Sequence, residues 1–203
     1  APIQEVCRLA NLYKALTFLD EVHAVGLYGK TGGGISDLIG VSSQLDLISG
    51  TFGKAIGVYG GYVSGKRWLI DAIRSTSPGF IFTTSLPPCI MAGALASIQH
   101  LMLNSDGREA HAEIVRRTKE ALRNNGLPLI ETPSHIIPLH IGNAVKCKQI
   151  SDLLLEKYKI YVQPINYPTV PHGQEMFRLT PTPFHTELDL RKLILSLCEV
   201  LHD

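Results

Sequence analysis

Two stretches decide how this sequence is read: Thr17-Phe-Leu-Asp20-Glu-Val-His23-Ala-Val-Gly26 and Leu47-Ile-Ser49-Gly-Thr51-Phe-Gly53-Lys54-Ala-Ile-Gly57. Each is a short apolar run of strand character that ends in polar, reactive side chains. In an open α/β sheet, ligands collect where strands end at their carboxyl edge. The pattern therefore predicts that an acid, an imidazole and an amine reach one rim of a sheet from two different strands. Asp20 closes the first run, where an unpaired carboxylate would be costly to bury. Lys54 stands among Gly50, Gly53, Gly57 and β-branched residues, not in the charged company of an exposed helix. Glycines permit close backbone approach to a bulky ligand, and burial would lower the amine's pKa, as an imine-forming lysine requires.

Taken singly, these residues have plainer readings: a surface lysine, a capping aspartate, a satisfied core histidine. Together, a lysine in a Gly/Ser/Thr turn and a distant aspartate point to pyridoxal 5'-phosphate (PLP). That cofactor takes a lysine into a Schiff base and needs a carboxylate to keep its ring nitrogen protonated. The resemblance becomes specific in Asp20-Glu-Val-His-Ala-Val-Gly-Leu-Tyr-Gly29, Ser49-Gly-Thr-Phe-Gly-Lys54 and Gly79-Phe-Ile-Phe-Thr-Thr-Ser-Leu-Pro-Pro88, and continues through Ile165-Asn-Tyr-Pro-Thr-Val170 and Arg178-Leu-Thr-Pro-Thr-Pro183. These motifs resemble the α-oxoamine synthase family over nearly the whole chain. Within it they are most similar to the members that condense glycine with succinyl-CoA.

The resemblance implies the α/β type I PLP-dependent transferase fold, here as the later part of the large mixed-sheet domain plus a small carboxyl-terminal α/β domain. It implies that Lys54 is the catalytic lysine, holding the cofactor and moving the glycine α-proton. Asp20 would pair with the pyridinium nitrogen, His23 would touch the phenolic oxygen, and Thr51 would bind the phosphate. Thr83 and Thr84 would reach the phosphate of a neighbouring subunit's cofactor, which implies a homodimer with its active site at the interface. On chemical grounds, hydroxyls beside a helix N-terminus suit such an anion. Arg178 would hold the carboxylate of glycine, and Thr169 would contact succinyl-CoA from a loop over the site. His172 departs from the arginine expected in that loop. The family's chains are longer at the amino end, so the resemblance implies a carboxyl-terminal fragment, and it implies the mitochondrial matrix. The alternatives are a sister synthase with another amino acid or acyl-CoA, and a non-catalytic partner subunit, against which Lys54 argues.

The 203 residues are 45% apolar and 18% charged, with a formal charge of +1. That balance fits a core-forming protein and gives no field to gather nucleic acid or an acidic membrane. Cys7, Cys89, Cys147 and Cys198 are scattered without a CxxC pair and read as buried free thiols, with no metal site. Residues 1–105 are expected to belong to the large PLP-binding domain and 106–203 to the small one, with the seam at Asn104-Ser-Asp-Gly107. Ala24-Val-Gly-Leu-Tyr-Gly29-Lys30-Thr31 mimics a phosphate-binding loop, but three glycines follow where a helix must start.

Hydrophobic spacing predicts helices over 3–13, 68–74, 108–124, 148–158 and 188–201. It predicts strands over 15–19, 46–49, 58–63, 80–82, 135–141, 160–162 and 176–179, and a loop over 28–40. Leu86–Leu103 is apolar on nearly every side. Its length, its two leading prolines, Gln99 and His100 favour a buried helix capped by Ser85 over a membrane span.

Overall fold

The computed structural model describes residues 1–202 of the chain. Its contacts divide it into two units, Ala1–Arg108 and Glu109–Asp203.

The first unit begins with α1 (Ile3–Tyr13), which Lys14 ends at a φ of 53°. It continues with β1 (Phe18–Asp20), a four-residue α2 (Ile35–Leu38), β2 (Leu47–Thr51) and β3 (Gly61–Gly65). Helices α3 (Arg67–Thr76), α4 (Pro78–Ile81) and α5 (Pro88–Leu103) follow. The sheet runs β1-β2-β3, with β1 and β2 parallel and β3 antiparallel. Asp46 ties its lower end together. Its carboxylate accepts the Thr17 N–H at 2.8 Å and hydroxyl at 3.0 Å and holds the Lys66 ammonium at 2.6 Å. Small apolar clusters support the sheet, one around Ile3, Cys7, Val41 and Leu45 and another around Phe52, Ile56 and Ala94.

Several expectations need correction here. The first strand starts at Phe18, not Ala15, and is not buried: Leu16 is 64% and Phe18 66% exposed. The 28–40 loop contains α2, and the second and third strands sit further along than predicted. Phe80–Phe82 is not a strand, because Pro78 at the first helical position presets the backbone for a turn of helix. The amides of Ile81 and Phe82 then donate to the Ser77 and Pro78 carbonyls. In α5 only Ala94 is buried, and Pro87 takes the N-cap position with no side-chain cap from Ser85. Among the described residues, no helix is long and apolar enough to cross a membrane. Cys7 and Cys147 are buried, but Cys89 is exposed.

The second unit holds most of α6 (Asp106–Asn124), then β4 (Ile137–His140), α7 (Ala144–Tyr158), β5 (Gln163–Ile165), β6 (Met176–Leu179) and α8 (Glu187–His202). Its antiparallel sheet has the order β4-β6-β5. Ile137, Leu139, Phe177 and Leu179 pack with Ile114, Leu122, Leu154, Ile194 and Leu197 in the main core. Strand alternation therefore leaves Pro138, His140, Met176 and Arg178 on the other face. The predicted strand at Ile160–Val162 is irregular: Val162 is buried and its carbonyl accepts the Ser151 hydroxyl at 2.7 Å. Pairing with β6 starts one residue later, at Gln163 opposite Arg178.

Candidate active site

The parallel pair sets Phe18, Leu19 and Asp20 opposite Leu47, Ile48 and Ser49. Both strands point the same way, so Asp20 and the turn that carries Lys54 leave the sheet at the same edge. At that edge Asp20 is exposed, and its Oδ1 accepts the Val22 N–H at 2.9 Å. Lys54 is also exposed, contrary to the expectation of burial, and makes no ion pair among the described residues. Its turn is closed by the Gly57 N–H donating to the Lys54 carbonyl at 3.0 Å. Thr51 donates its hydroxyl to the Gly60 carbonyl at 3.2 Å and accepts the Gly53 N–H at 3.1 Å, which orients the start of that turn.

His23 is exposed in the turn after Asp20, between the buried Glu21 and Ala24. Gly26 lets this turn approach the lysine turn, since a Cβ there would overlap Ala55 and its φ is +83°. Glu21, whose anchoring role its motif does not reveal, is only 2% exposed. Its carboxylate accepts the Ile35 and Ser36 amides at 3.0 and 2.8 Å, capping α2 and anchoring the glycine-rich loop. Arg108 is a second unforeseen anchor, donating to the Lys30, Leu101 and Asn104 carbonyls. Neither has a local sequence signal, because their partners lie far away or are backbone groups. Tyr62 lies across Gly50 and stacks on Phe52 with centroids 5.6 Å apart. Burial, with the charge of Glu21, raises the pKa of its phenol.

Thr83 and Thr84 follow the short helix α4 rather than a strand. Thr83 donates its hydroxyl to the Gly79 carbonyl at 2.6 Å, and both threonines are exposed.

In the second unit, Arg178 has apolar neighbours in the sequence. Those neighbours, Phe177 and Leu179, belong to the opposite face. Arg178 is half-buried, and its Nε is a buried donor without a hydrogen-bond partner. An orphaned donor of this kind, in a side chain whose planar fork matches carboxylates, is suited to an anion. A cavity of about 400 Å³ takes in Arg178, Gln163, Tyr161 and Thr180, and extends past the sheet to Ile114 and Leu190. Thr169 is exposed, in a turn closed by its amide on the Asn166 carbonyl at 3.0 Å. His172 stacks on Tyr167 with centroids 4.4 Å apart. Among the described residues, no cluster of His, Cys, Asp and Glu is suited to a metal ion.

The signature of the aminotransferase class I and II family matches residues 1–197. The chain belongs to that family. The Rhizobium meliloti protein named 5-aminolevulinate synthase is 55% identical over 197 residues, covering 97% of this chain and 49% of that protein. The Danio rerio protein named 5-aminolevulinate synthase, erythroid-specific, mitochondrial is 49% identical over 203 residues, covering 98% and 34% respectively. A solved structure described as SPT with PLP internal aldimine superimposes with a TM-score of 0.92 at 28% identity, covering 100% of this chain and 51% of that one. The chain thus spans about half the length of the first relative it matches. Its fold is that of the type I PLP-dependent transferases.

Pyridoxal phosphate is the cofactor of this class, and the donor set of this family member fits it. The sheet edge offers one amine, one carboxylate, one imidazole and a threonine hydroxyl held by its own turn.

Proposed function

We propose that this chain forms part of a PLP-dependent acyltransferase that condenses glycine with succinyl-CoA. The products are 5-aminolevulinate, CoA and CO2, in the first step of haem and tetrapyrrole synthesis. The observation that carries this reading is the parallel register that delivers Asp20 and Lys54 to one edge, in a chain 55% identical to a protein of that name.

When bound, pyridoxal phosphate supplies an electron sink for a carbanion at the α-carbon of an amino acid. Lys54 offers the amine through which the cofactor is held, and afterwards takes the α-proton from glycine. An amine on a glycine-flanked turn can reach and withdraw without moving a strand. The Asp20 carboxylate stabilises a positive charge on the ring nitrogen, and His23 meets the phenolic oxygen. Thr51 contributes to phosphate binding, and Thr83 and Thr84 bind the phosphate belonging to a second subunit. Arg178 clamps the glycine carboxylate with its unsatisfied Nε–H, and Thr169 contacts succinyl-CoA.

The assembly proposed is a homodimer, which sedimentation tests. The proposed compartment, the mitochondrial matrix, rests on the name of the Danio rerio relative and is tested by fractionation. The likeness to SPT favours a second reading, a sister synthase with another amino acid. Turnover of glycine, serine and alanine against succinyl-CoA and longer acyl-CoAs, in a holoenzyme of the relatives' full length, separates the two. Preference for serine or a long acyl chain would overturn the first reading.

A further inference from the structure

The face of the second unit's sheet opposite its main core sets Arg178 beside Gln163 and Tyr161, two residues that the reaction scheme does not use. Gln163 and Arg178 are cross-strand partners, so their side chains stand side by side on this face. Pro138, the partner of Arg178 on its other side, has no polar side chain. The Gln163 carbonyl is therefore the neighbouring side-chain acceptor that the Arg178 guanidinium could take up. The amide is already oriented elsewhere: Oε1 of Gln163 accepts the Tyr161 hydroxyl at 2.5 Å, and Nε2 donates to the Pro164 carbonyl at 2.9 Å. Tyr161 lies just before β5, and this hydrogen bond brings its side chain to that of Gln163. Across the strand, the Arg178 Nε stays buried and unpartnered.

We infer that Tyr161 is a positioning residue for the anion-binding arginine. Its hydroxyl, with the Pro164 carbonyl at the other end of the amide, holds the Gln163 carbonyl turned away from Arg178 and so keeps the guanidinium edge open for the substrate carboxylate. Without that hydroxyl, the amide oxygen can turn to the arginine, and an incoming carboxylate must displace it. This inference rests on the proposed role of Arg178.

The test uses the holoenzyme at the relatives' full length. Tyr161→Phe removes only the hydroxyl and is expected to raise the glycine KM about fivefold to tenfold, the scale of one hydrogen bond. The calorimetric Kd for glycine should rise in parallel, with the succinyl-CoA KM and the thermal midpoint unchanged. Adding Gln163→Leu removes the competing acceptor and should return the glycine KM to within about twofold of the parent, because the effects cancel within one network. An unchanged glycine KM in Tyr161→Phe, or a double variant no better than the single one, overturns the inference. Arg178→Lys is the control. If it raises the glycine KM while Tyr161→Phe does not, only this inference fails; if it leaves the KM unchanged, the role of Arg178 fails with it.

Discussion

Asp20 and Ser49 are register partners in the parallel pair β1–β2, and this alignment puts an acid and the Lys54 turn at one edge of the sheet. A parallel pair needs a crossover between its strands, and here Glu21 and Arg108 brace part of that crossover from within. The distance in sequence between Asp20 and Lys54 is thus the length of chain needed to bring two strand ends together.

Lys54→Ala is expected to abolish covalent retention of pyridoxal phosphate while far-UV circular dichroism stays unchanged, because the side chain is exposed. Borohydride reduction of the parent followed by peptide mapping should tag Lys54. A tag on Lys30 or Lys66 would reject the assignment.

Arg178→Lys keeps the charge but loses the planar fork and its Nε donor. The glycine KM should rise by roughly tenfold or more, consistent with a lost charged hydrogen bond of about 1.5–3 kcal/mol. The succinyl-CoA KM should change much less. Steady-state kinetics with each substrate varied in turn decides it.

Asp46→Asn probes the lower end of the first sheet. Hydrogen bonding from Lys66, then from the Thr17 amide, holds the Asp46 carboxyl below its ordinary value. A depressed carboxylate stabilises the fold above its unfolded pKa of about 3.9, and that contribution is lost as pH falls through the lower folded value. The parent should therefore lose stability in acid below about pH 4, and the variant should show a flatter acid limb. At pH 7 the loss should be about 1–2 kcal/mol. It comes from the lost pairing with Lys66, which solvent weakens because that ammonium is about half exposed, and from the lost charge on the acceptor of the Thr17 bonds. Thermal melts from pH 7 to pH 3 test both parts.

Gly26→Ala should destabilise the first unit by about 1–3 kcal/mol, since a side chain is strained at its left-handed φ and its Cβ would collide with Ala55. The same displacement should loosen the lysine turn and weaken cofactor retention. A melt within a degree of the parent would show that the two turns do not depend on that close approach.

Apolar periodicity alone marked α1, β6 and the bodies of α3, α6, α7 and α8, because a repeat of 3.6 or 2 residues records which face is buried. The reactive residues were legible for a related reason: each ends an apolar run or sits among glycines, and such placements are uncommon without a chemical use. Local pattern failed where a distant or backbone contact decided the outcome. Phe80–Phe82 reads as a strand by composition, yet Pro78 starts a helix and no strand pairs with this segment. Ile160–Val162 is the more apolar run, yet pairing with Met176–Leu179 selects Gln163–Ile165. Burial of Glu21, the carbonyl-bound guanidinium of Arg108 and the Tyr161–Gln163–Arg178 row are likewise invisible along the chain. Spacing within the sequence determined which side chains could do chemistry, because helices and strands sort neighbours onto faces by a fixed period. Only the tertiary structure decided which of them meet, because hydrogen-bond register and close packing join residues that no local period relates.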